Sequence, residues 1–406
     1  MQTLPKLGIL VAQHPAINHA VILREIRQLR RSFDVYTASV RAPDRPLEKL
    51  SAEERDEESR TYYVKPHGLK GAIPAHLGAF LSQPAAYLST LLYALKLGGL
   101  RPASTLFHFG YFTQALMVGR WMRTHGISNL HVHYSSTVGL LLRRVFAIGL
   151  SISFHGPDEF NDPEGFLIRE KIRACDFVRA ISQYARSQLM KSSDYADWRK
   201  IEVVYMGVDP AAFSARPFRP DPSPFELICV GRLAPVKAQH ILVAAVDRLV
   251  RAGKDVRLNI VGGGPDRQSL EQDVAARGLQ KNVVFHGFTI QDRLDELYRG
   301  ADVFTLASFA EGVPGVLMEA MAMEIPCVST WITGVPELIR NGVDGLLVAP
   351  SDEEGFAVAI GKLMDDSGFR QQIGQAGRAR VLEQFHLEKN ARKLASIFQR
   401  YLEGKA

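Results

Sequence analysis

The chain has 406 residues, of which 46% are hydrophobic and 23% are charged. This composition is typical of globular domains and excludes a disordered, fibrous or collagen-like chain, and the length suffices for two or three domains. The 49 basic and 43 acidic residues give a net charge of +6, which favours anionic small molecules or an anionic membrane surface over nucleic acid. Cys175, Cys229 and Cys327 form no Cys-x-x-Cys pair, so we expect neither a disulfide framework nor a thiolate zinc site.

The first half of the chain alternates short apolar segments with amphipathic ones. Strands are predicted over residues 7–11, 34–38, 129–133, 150–154, 176–180 and 201–205. Helices are predicted over 19–31 and 137–146. In the first of these, Val21, Ile22, Ile26 and Leu29 share one face, and Arg24, Arg27 and Arg31 occupy the other. Strands alternating with helices predict parallel βαβ units.

The amino-terminal half also carries features that a membrane surface could bind. The residues before the first strand are short and polar, which predicts no signal peptide and a cytoplasmic protein. The uncharged segment 71–95 is broken by Pro74 and Pro84, so we do not expect it to span a bilayer. Flanking lysines and the cluster Arg24, Arg27, Arg30 and Arg31 indicate a peripheral contact with the inner leaflet. The alternative is a solvated helix and a buried helix pair.

The second half repeats the alternating pattern. Strands are predicted over residues 225–230, 256–261, 283–286, 302–307, 326–329 and 345–348, and helices over 238–252, 266–278, 291–300 and 314–323. The proline-rich run 216–224 cannot form a helix or a central strand, because proline lacks the amide donor. The fold class is therefore α/β, with doubly wound parallel-sheet domains at 1–207 and 225–385 and a linker at 208–224. A last helix, 386–406, is expected to pack across the domain boundary.

The segment 308–322 carries the strongest chemical signal. Glu311 follows a predicted strand, and Pro314 suits the first turn of the next helix. The amides around Gly315 and Val316 would then be free donors at the carboxyl edge of a parallel sheet, where an anion binds. Glu319 lies about one turn further on and could accept hydrogen bonds from a ribose diol. The alternative makes the two glutamates a turn residue and a helix-surface residue.

Two cations form a second candidate site. Arg232 and Lys237 lie in one loop after the predicted strand 225–230. A guanidinium and a mobile ammonium in such a loop suit a diphosphate. The two side chains could instead be solvated or could pair with carboxylates.

These motifs resemble those of the retaining glycosyltransferases of family four, which have two Rossmann-like domains facing a cleft in the GT-B architecture. The loop 232–237 resembles the diphosphate-binding loop of that family, and Glu311 and Glu319 match its E-x7-E motif. Segments 261–265, 286–288 and 333–337 resemble further landmarks. Segments 131–134, 154–160 and 177–187 resemble bacterial exopolysaccharide members of the colanic-acid type.

The resemblance implies specific roles in the second half. Arg232 and Lys237 would hold the donor diphosphate, Glu319 the ribose, and Glu311 would face the donor sugar. The triple glycine at 262–264 would let the backbone approach the nucleotide, or would be a simple tight turn. The full set of predicted donor-binding residues is Gly263, Gly287, Phe288, Gly312, Val313, Pro314, Gly315, Val316 and Glu319.

The resemblance implies weaker assignments in the first half. His155 would lie at the cleft against the donor sugar, and it would act in catalysis with Arg232, Lys237 and Glu311. Asp158 and Glu159 would orient the acceptor or cap a turn. The loop 13–19 lacks the glycines that many family members have after the first strand, so Asn18 is an acceptor-side candidate only.

The implied function is retaining transfer of a hexose from a nucleotide-diphosphate sugar to a glycan or lipid-linked saccharide in polysaccharide biosynthesis. No metal and no cofactor is expected, because the sequence has no Asp-x-Asp, no HExxH and no Cys/His cluster at metal-ligand spacing. Two alternatives stay open: a catalytically silent sugar-nucleotide-binding protein on the GT-B scaffold, and another GT-B enzyme such as a phosphorylase or an epimerase. No nucleic-acid partner is expected, since no basic motif with interleaved aromatics occurs.

Overall fold

The structure, a computed structural model, describes residues 4–289, 291–402 and 404. Those residues divide into two units, one from Met1–Val204 and Ala391–Ala406 and the other from Tyr205–Asn390. The predicted linker, 208–224, lies within the second unit. There the Arg216 amide donates to the Met323 carbonyl at 3.2 Å, and the Arg370 guanidinium donates to the Arg219 and Pro220 carbonyls at 2.9 and 2.7 Å. The boundary therefore falls between residues 204 and 205.

The first unit is built on a parallel sheet. Its strands are β1 (Lys6–Gln13), β2 (Asp34–Arg41), β3 (Thr61–Tyr63), β4 (Asn129–His133), β5 (Gly149–Phe154), β6 (Phe177–Ala180) and β7 (Ile201–Val203). Their order is β3-β2-β1-β4-β5-β6-β7, and every neighbouring pair is parallel. Six of these strands are those predicted from the sequence. The edge strand β3 was not predicted from the sequence.

The helices of the first unit differ in the kind of residue that they bury. They are α1 (Ala20–Leu29), α2 (Ala52–Arg60), α3 (Gly68–Ser82), α4 (Pro84–Gly98), α5 (Pro102–His125), α6 (Ser136–Val145), α7 (Ile168–Ala174) and α8 (Gln183–Lys191). Helix α1 buries Ile22, Ile26 and Leu29 as its periodicity predicted. Helices α3 and α4 fully bury only small residues, half-bury Tyr87, Leu91 and Tyr93 against the core, and expose a row of leucines. The alternative of a buried helix pair over 71–95 is therefore wrong.

The second unit has its own parallel sheet. Its strands are β8 (Phe225–Val230), β9 (Val256–Val261), β10 (Val283–Gly287), β11 (Val303–Leu306), β12 (Cys327–Thr330) and β13 (Leu346–Val348). Their order is β10-β9-β8-β11-β12-β13, with parallel pairing throughout. All six were predicted, because each is a short segment rich in apolar residues and bounded by turn signals.

Helices alternate with the strands of this sheet and follow its last strand. They are α9 (Gln239–Arg251), α10 (Arg267–Ala276), α11 (Gln291–Gly300), α12 (Gly315–Ala322), α13 (Val335–Leu338), α14 (Glu353–Asp365), α15 (Ser367–Gln384) and α16 (Leu387–Leu402). Pro314 is not in the first turn of α12 as predicted; it is the residue before the helix, with ψ 122°. From Ala391 onward α16 belongs to the first unit, where Phe398 packs edge-on against Phe33 and Phe177.

Candidate active site

The second sheet changes direction between two neighbouring strands. From β8 the chain proceeds outward to β9 and β10, and it then returns to β11 on the other side of β8 before continuing to β12 and β13. The loops after β8 and β11 therefore separate at the carboxyl edge and leave a crevice between them. In open parallel sheets ligands bind in this crevice. The loop with Arg232 and Lys237 follows β8, and the loop with Glu311 follows β11.

Backbone hydrogen bonds fix the loop after β8 on both sides. Gly231 N–H donates to the Val261 carbonyl at 2.9 Å, and Leu233 N–H donates to the Gly263 carbonyl at 3.0 Å. On the other side, Phe309 N–H donates to the Val236 carbonyl at 2.8 Å. Lys237 thus stands on a loop that is tied to the loops after β9 and β11.

An ion pair joins the two sides of the crevice. Lys237 Nζ lies 2.5 Å from Glu311 Oε1, and the side chains are 23% and 11% exposed. The same carboxylate oxygen accepts a hydrogen bond from Ser308 Oγ at 2.6 Å. The sequence left solvation and pairing with a carboxylate as alternatives for the two cations, and Lys237 pairs with a carboxylate. The exposed Arg232 side chain forms no hydrogen bond or ion pair with any residue in the described ranges.

The turn after β12 supports the segment that leads into α12. Thr333 Oγ1 donates to the Glu311 carbonyl, and the Glu311 amide lies 3.3 Å from the same hydroxyl oxygen. Gly334 packs so closely that a Cβ there would lie 2.0 Å from the Gly312 carbonyl oxygen. Helix α12 then begins at Gly315, where the first amides have no carbonyl acceptor within the helix. The helix start therefore supplies free donors and a positive dipole end beside Glu311.

Glu319 lies on α12, half-buried, and contacts a tyrosine on α11. Tyr298 is fully buried and its hydroxyl lies 3.2 Å from Glu319 Oε2. Burial, followed by the negative charge of Glu319, raises the pKa of Tyr298 well above its usual value, so the phenol stays neutral and donates. This bond orients the carboxylate predicted to bind the ribose.

The segments after β9 and at the end of β10 bring together three of the predicted donor-binding residues, Gly263, Gly287 and Phe288. Phe288 is 77% exposed, yet a Cβ on Gly263 would lie 2.5 Å from its ring. Gly262 N–H donates to the Gly287 carbonyl at 2.9 Å, and both glycines have positive φ, 133° and 70°. The structure thus places Gly263, Gly287 and Phe288 together, and a side chain at position 263 would displace the ring.

Glu337 makes a contact that the sequence did not suggest. Its carboxylate accepts a hydrogen bond from the Tyr205 hydroxyl at 2.9 Å, and Arg380 donates to its backbone carbonyl at 2.8 Å. Glu337 also lies in the first turn of α13, where a negative charge stabilises the start of the helix.

The first unit has an equivalent point, between β1 and β4, and histidine and tyrosine side chains occupy it. His19 stacks on Tyr134 with ring centroids 4.6 Å apart, and Tyr134 stacks on His155 at 4.4 Å. His133 Nδ1 and His155 Nε2 are 2.8 Å apart. Burial lowers the pKa values of His133 and His155 well below the usual range, so both rings stay neutral. His155 directly follows β5, as predicted.

The acidic residues beside His155 differ in their surroundings. Glu159 Oε2 accepts from the backbone amides of His155 at 2.6 Å and Gly156 at 3.4 Å. Burial raises the pKa of Glu159 to about 7, although these amides oppose the shift. Glu159 therefore caps its turn, which was one of the two roles considered, while Asp158 is exposed. The side chain of Asn18 lies outside the described residues.

The first unit contains a cavity of about 710 Å³ that no sequence motif had indicated. Aromatic and basic side chains line it, among them Arg41, Lys65, Phe107, Tyr134, Phe166 and Lys171. Burial lowers the pKa of Lys171 to about 8, partly offset by Glu159. Tyr134 joins the cavity to the histidine stack. In the described part of the chain, no group of three or more His, Cys, Asp and Glu residues could hold a metal ion.

Comparison with known proteins identifies the class and then the family. The model described as Glycosyltransferase Family 4 matches residues 82–212, and the model described as Glycosyl transferases group 1 matches residues 213–380. HepE of Anabaena, in a crystal structure with UDP and glucose, superposes with a TM-score of 0.73 at 18% identity, over 97% of this chain and 99% of that one. Sucrose-phosphate synthase of Thermosynechococcus elongatus gives a TM-score of 0.76 at 18% identity, over 98% and 100%. These likenesses define a GT-B fold.

Sequence relatives agree with that fold. The provisionally named colanic acid biosynthesis glycosyltransferase WcaL of Escherichia coli (strain K12) is 32% identical over 57% of this chain and 58% of that protein. The amylovoran biosynthesis glycosyltransferase AmsK of Erwinia amylovora is 30% identical over 50% and 51%. The chain spans about half the length of these curated relatives. The family-four model and the group 1 model together match residues 82–380, in agreement with the glycosyltransferase family that the sequence motifs predicted.

Proposed function

We propose that this protein transfers a hexose from a nucleotide-diphosphate sugar to a glycan or lipid-linked saccharide, with retention of anomeric configuration. The observation that carries the proposal is the Lys237–Glu311 ion pair across the crevice between β8 and β11, beside the unpaired Arg232 and the start of α12. A diphosphate bound there would meet two cations and the free amides of a helix. The names of WcaL and AmsK support a role in polysaccharide biosynthesis.

In this proposal fixed protein charges, without a metal ion, stabilise the leaving diphosphate. Negative charge develops on the diphosphate as the bond to the sugar breaks. Lys237 is held by its ion pair with Glu311, and the helix start fixes the amides of Gly315 and Val316, so these donors need little reorganisation when that charge appears. The exposed Arg232 adds a second cation.

Retention requires that the acceptor hydroxyl attack the anomeric carbon from the same face from which the leaving group departs. The acceptor hydroxyl forms a bond to the anomeric carbon as the bond from that carbon to the phosphate oxygen breaks, and a phosphate oxygen takes the hydroxyl proton. A covalent intermediate on Glu311 is disfavoured, because one oxygen of that carboxylate already accepts from Ser308 and pairs with Lys237.

The acceptor is assigned to the cavity of the first unit. Its basic lining residues Arg41 and Lys65 suit a lipid diphosphate, and its aromatic lining residues Phe107 and Phe166 suit sugar faces or a lipid chain. The neutral His155 would contact the donor sugar as a hydrogen-bonding group without carrying charge.

A thermal-shift screen of UDP-, GDP-, ADP- and TDP-sugars, followed by a product assay with the best binder, tests this function. We expect one nucleotide to raise the melting temperature and its sugar to be transferred. Binding without hydrolysis or transfer above background would favour the catalytically silent alternative. Turnover that requires inorganic phosphate would favour a phosphorylase, and either result would overturn the proposal.

A further inference from the structure

One region of the first unit has an extreme charge imbalance. From Ser59 to Pro157 the sequence contains no Asp and no Glu. The same stretch has nine basic residues, which are Arg60, Lys65, Lys70, Lys96, Arg101, Arg120, Arg123, Arg143 and Arg144. Elsewhere the charges are nearly balanced, since the whole chain carries only +6. This stretch includes α3, α4 and α5, which pack against one another.

The helices α3 and α4 are amphipathic in the reverse sense to that of a helix on a water-exposed surface. Their fully buried positions hold small residues, Tyr87, Leu91 and Tyr93 pack half-buried against the core, and a row of large apolar residues is exposed. The buried set is Ala75 and Ala79 on α3 and Thr90, Ala94 and Gly98 on α4. The exposed set, here called the leucine face, is Leu69, Ile73, Leu77 and Leu81 on α3 and Leu88, Leu92 and Leu95 on α4.

The spacing of the leucine face makes it continuous along each helix. Residues 69, 73, 77 and 81 are four apart, and residues 88, 92 and 95 are four and three apart, so each set forms one stripe. Leu77, Leu81 and Leu92 are 59%, 72% and 67% exposed. Contiguous exposed apolar side chains at this density mark a binding surface for an apolar phase.

The charges around the leucine face indicate what covers it. Lys65, Lys70, Lys96 and Arg101 lie at the ends of α3 and α4, are exposed, and form no ion pair with a described residue. By contrast, the arginine cluster on α1 that the sequence had suggested is partly neutralised, because Arg27 pairs with Glu53 and Arg30 with Glu57 of α2. Unpaired cations bordering an apolar surface complement anionic headgroups above acyl chains.

We propose that the leucine face docks on an anionic lipid leaflet, with its leucines among the upper acyl segments and the four cations among the headgroups. Among the described residues no helix has the length and apolarity to cross a bilayer, so the contact is interfacial. Leu69 and Phe107 are exposed and also line the cavity assigned to the acceptor. A lipid-linked acceptor could therefore pass from the leaflet into the cavity, and this last point rests on the proposed function.

Vesicle flotation tests the surface. The full chain is floated with vesicles of phosphatidylcholine and phosphatidylglycerol in equal amounts, and with phosphatidylcholine alone. We expect binding to the anionic vesicles that the combined Leu77→Gln, Leu81→Gln and Leu92→Gln variant loses, about tenfold in partitioning for each leucine. Lys70→Gln and Lys96→Gln are each expected to cost about fivefold, with a weaker salt dependence. Val358→Gln on α14, a residue 66% exposed, is the matched control and should float normally.

Three results would overturn the inference. They are no flotation at low salt, equal flotation of the triple variant, and a wild-type dimer that the triple variant converts to a monomer, which would assign the leucine face to a second copy. Calorimetry with a nucleoside diphosphate on the same variants separates this inference from the proposed function. Flotation without nucleotide binding would leave the surface intact and remove the function, and the reverse would remove the surface alone.

Discussion

The two units share a sheet topology, but they differ in the charge of the side chains at the point where the strand order reverses. Each has a parallel sheet that reverses its strand order, between β8 and β11 in the second unit and between β1 and β4 in the first. The second unit places an ion pair, an unpaired arginine and a helix start there. The first places a stack of histidines and a tyrosine whose burial keeps the imidazoles neutral.

This contrast separates the partners that each point can bind. A diphosphate carries charge that must be matched, and charge-assisted hydrogen bonds from fixed cations are about twice as strong as neutral ones. Sugar hydroxyls are neutral donors and acceptors, and a neutral imidazole offers one of each. The fold supplies the crevice twice, and the side chains at the strand ends decide what enters it.

Removing the cations of the second unit should have the largest effect. We expect Arg232→Ala and Lys237→Ala to lose turnover by about 100–1000-fold while remaining folded, because one preorganised charge-stabilising donor contributes about 3–4 kcal/mol. Initial-rate measurements with saturating donor check this. Arg251→Ala, a change at an exposed arginine of the same unit, should retain the wild-type rate. Near-wild-type turnover in both site variants would remove the diphosphate argument.

The buried carboxyl of Glu159 predicts that the stability of the first unit depends on pH. Burial raises the pKa of Glu159 from 4.5 to about 7, so the folded state holds a proton that the unfolded state releases between these values. Its contribution to the free energy of unfolding is therefore largest below pH 4.5 and falls by about 3 kcal/mol as pH rises through 7.

Denaturant unfolding of wild type and Glu159→Gln from pH 5 to 7.5 checks this, because the difference cancels the histidines that both share. Lys171, whose pKa is lowered to about 8, affects stability only above that window. A difference that does not change with pH would contradict the burial of a raised-pKa carboxyl.

Glu319 should affect nucleotide affinity more than rate. Glu319→Ala is expected to weaken binding about 10–100-fold, since a hydrogen bond to a charged group contributes about 1.5–3 kcal/mol. Tyr298→Phe removes only the hydroxyl that contacts the same carboxylate, so it should weaken binding much less. Calorimetry checks both, and unchanged affinity in Glu319→Ala would refute the ribose role.

The smallest expected effect is that of chelation. If fixed cations replace a metal ion, turnover should be the same with EDTA as with added Mg²⁺ or Mn²⁺. A rate that falls in EDTA and recovers on adding a divalent cation would contradict metal-independent transfer.

The sequence predicted the strand cores well and the surroundings of the site poorly. Strands β4, β8 and β9 have the predicted bounds, because their alternating or continuous apolar residues are a local signal in the sequence. Contacts between segments that are distant in the sequence could not be predicted. Nothing in the order of residues shows that Thr333 holds the Glu311 backbone or that Tyr134 lies between His19 and His155.

The helix pair α3 and α4, for which the sequence left burial and a membrane contact as alternatives, is the clearest case. A run of apolar residues predicts helices in an apolar environment, but it does not show whether protein or another phase provides it. Only the structure reveals that alanines and a glycine face inward while leucines face outward on α3 and α4.

The central claim, that a nucleotide diphosphate binds between the loops after β8 and β11, is tested most directly by calorimetry with a nucleoside and its mono- and diphosphate. The base is chosen by the nucleotide screen. The account predicts that affinity rises with each phosphate in the wild type and that the combined Arg232→Ala and Lys237→Ala variant loses the increment from the second phosphate while still binding the nucleoside. An unchanged increment in that variant would contradict the account.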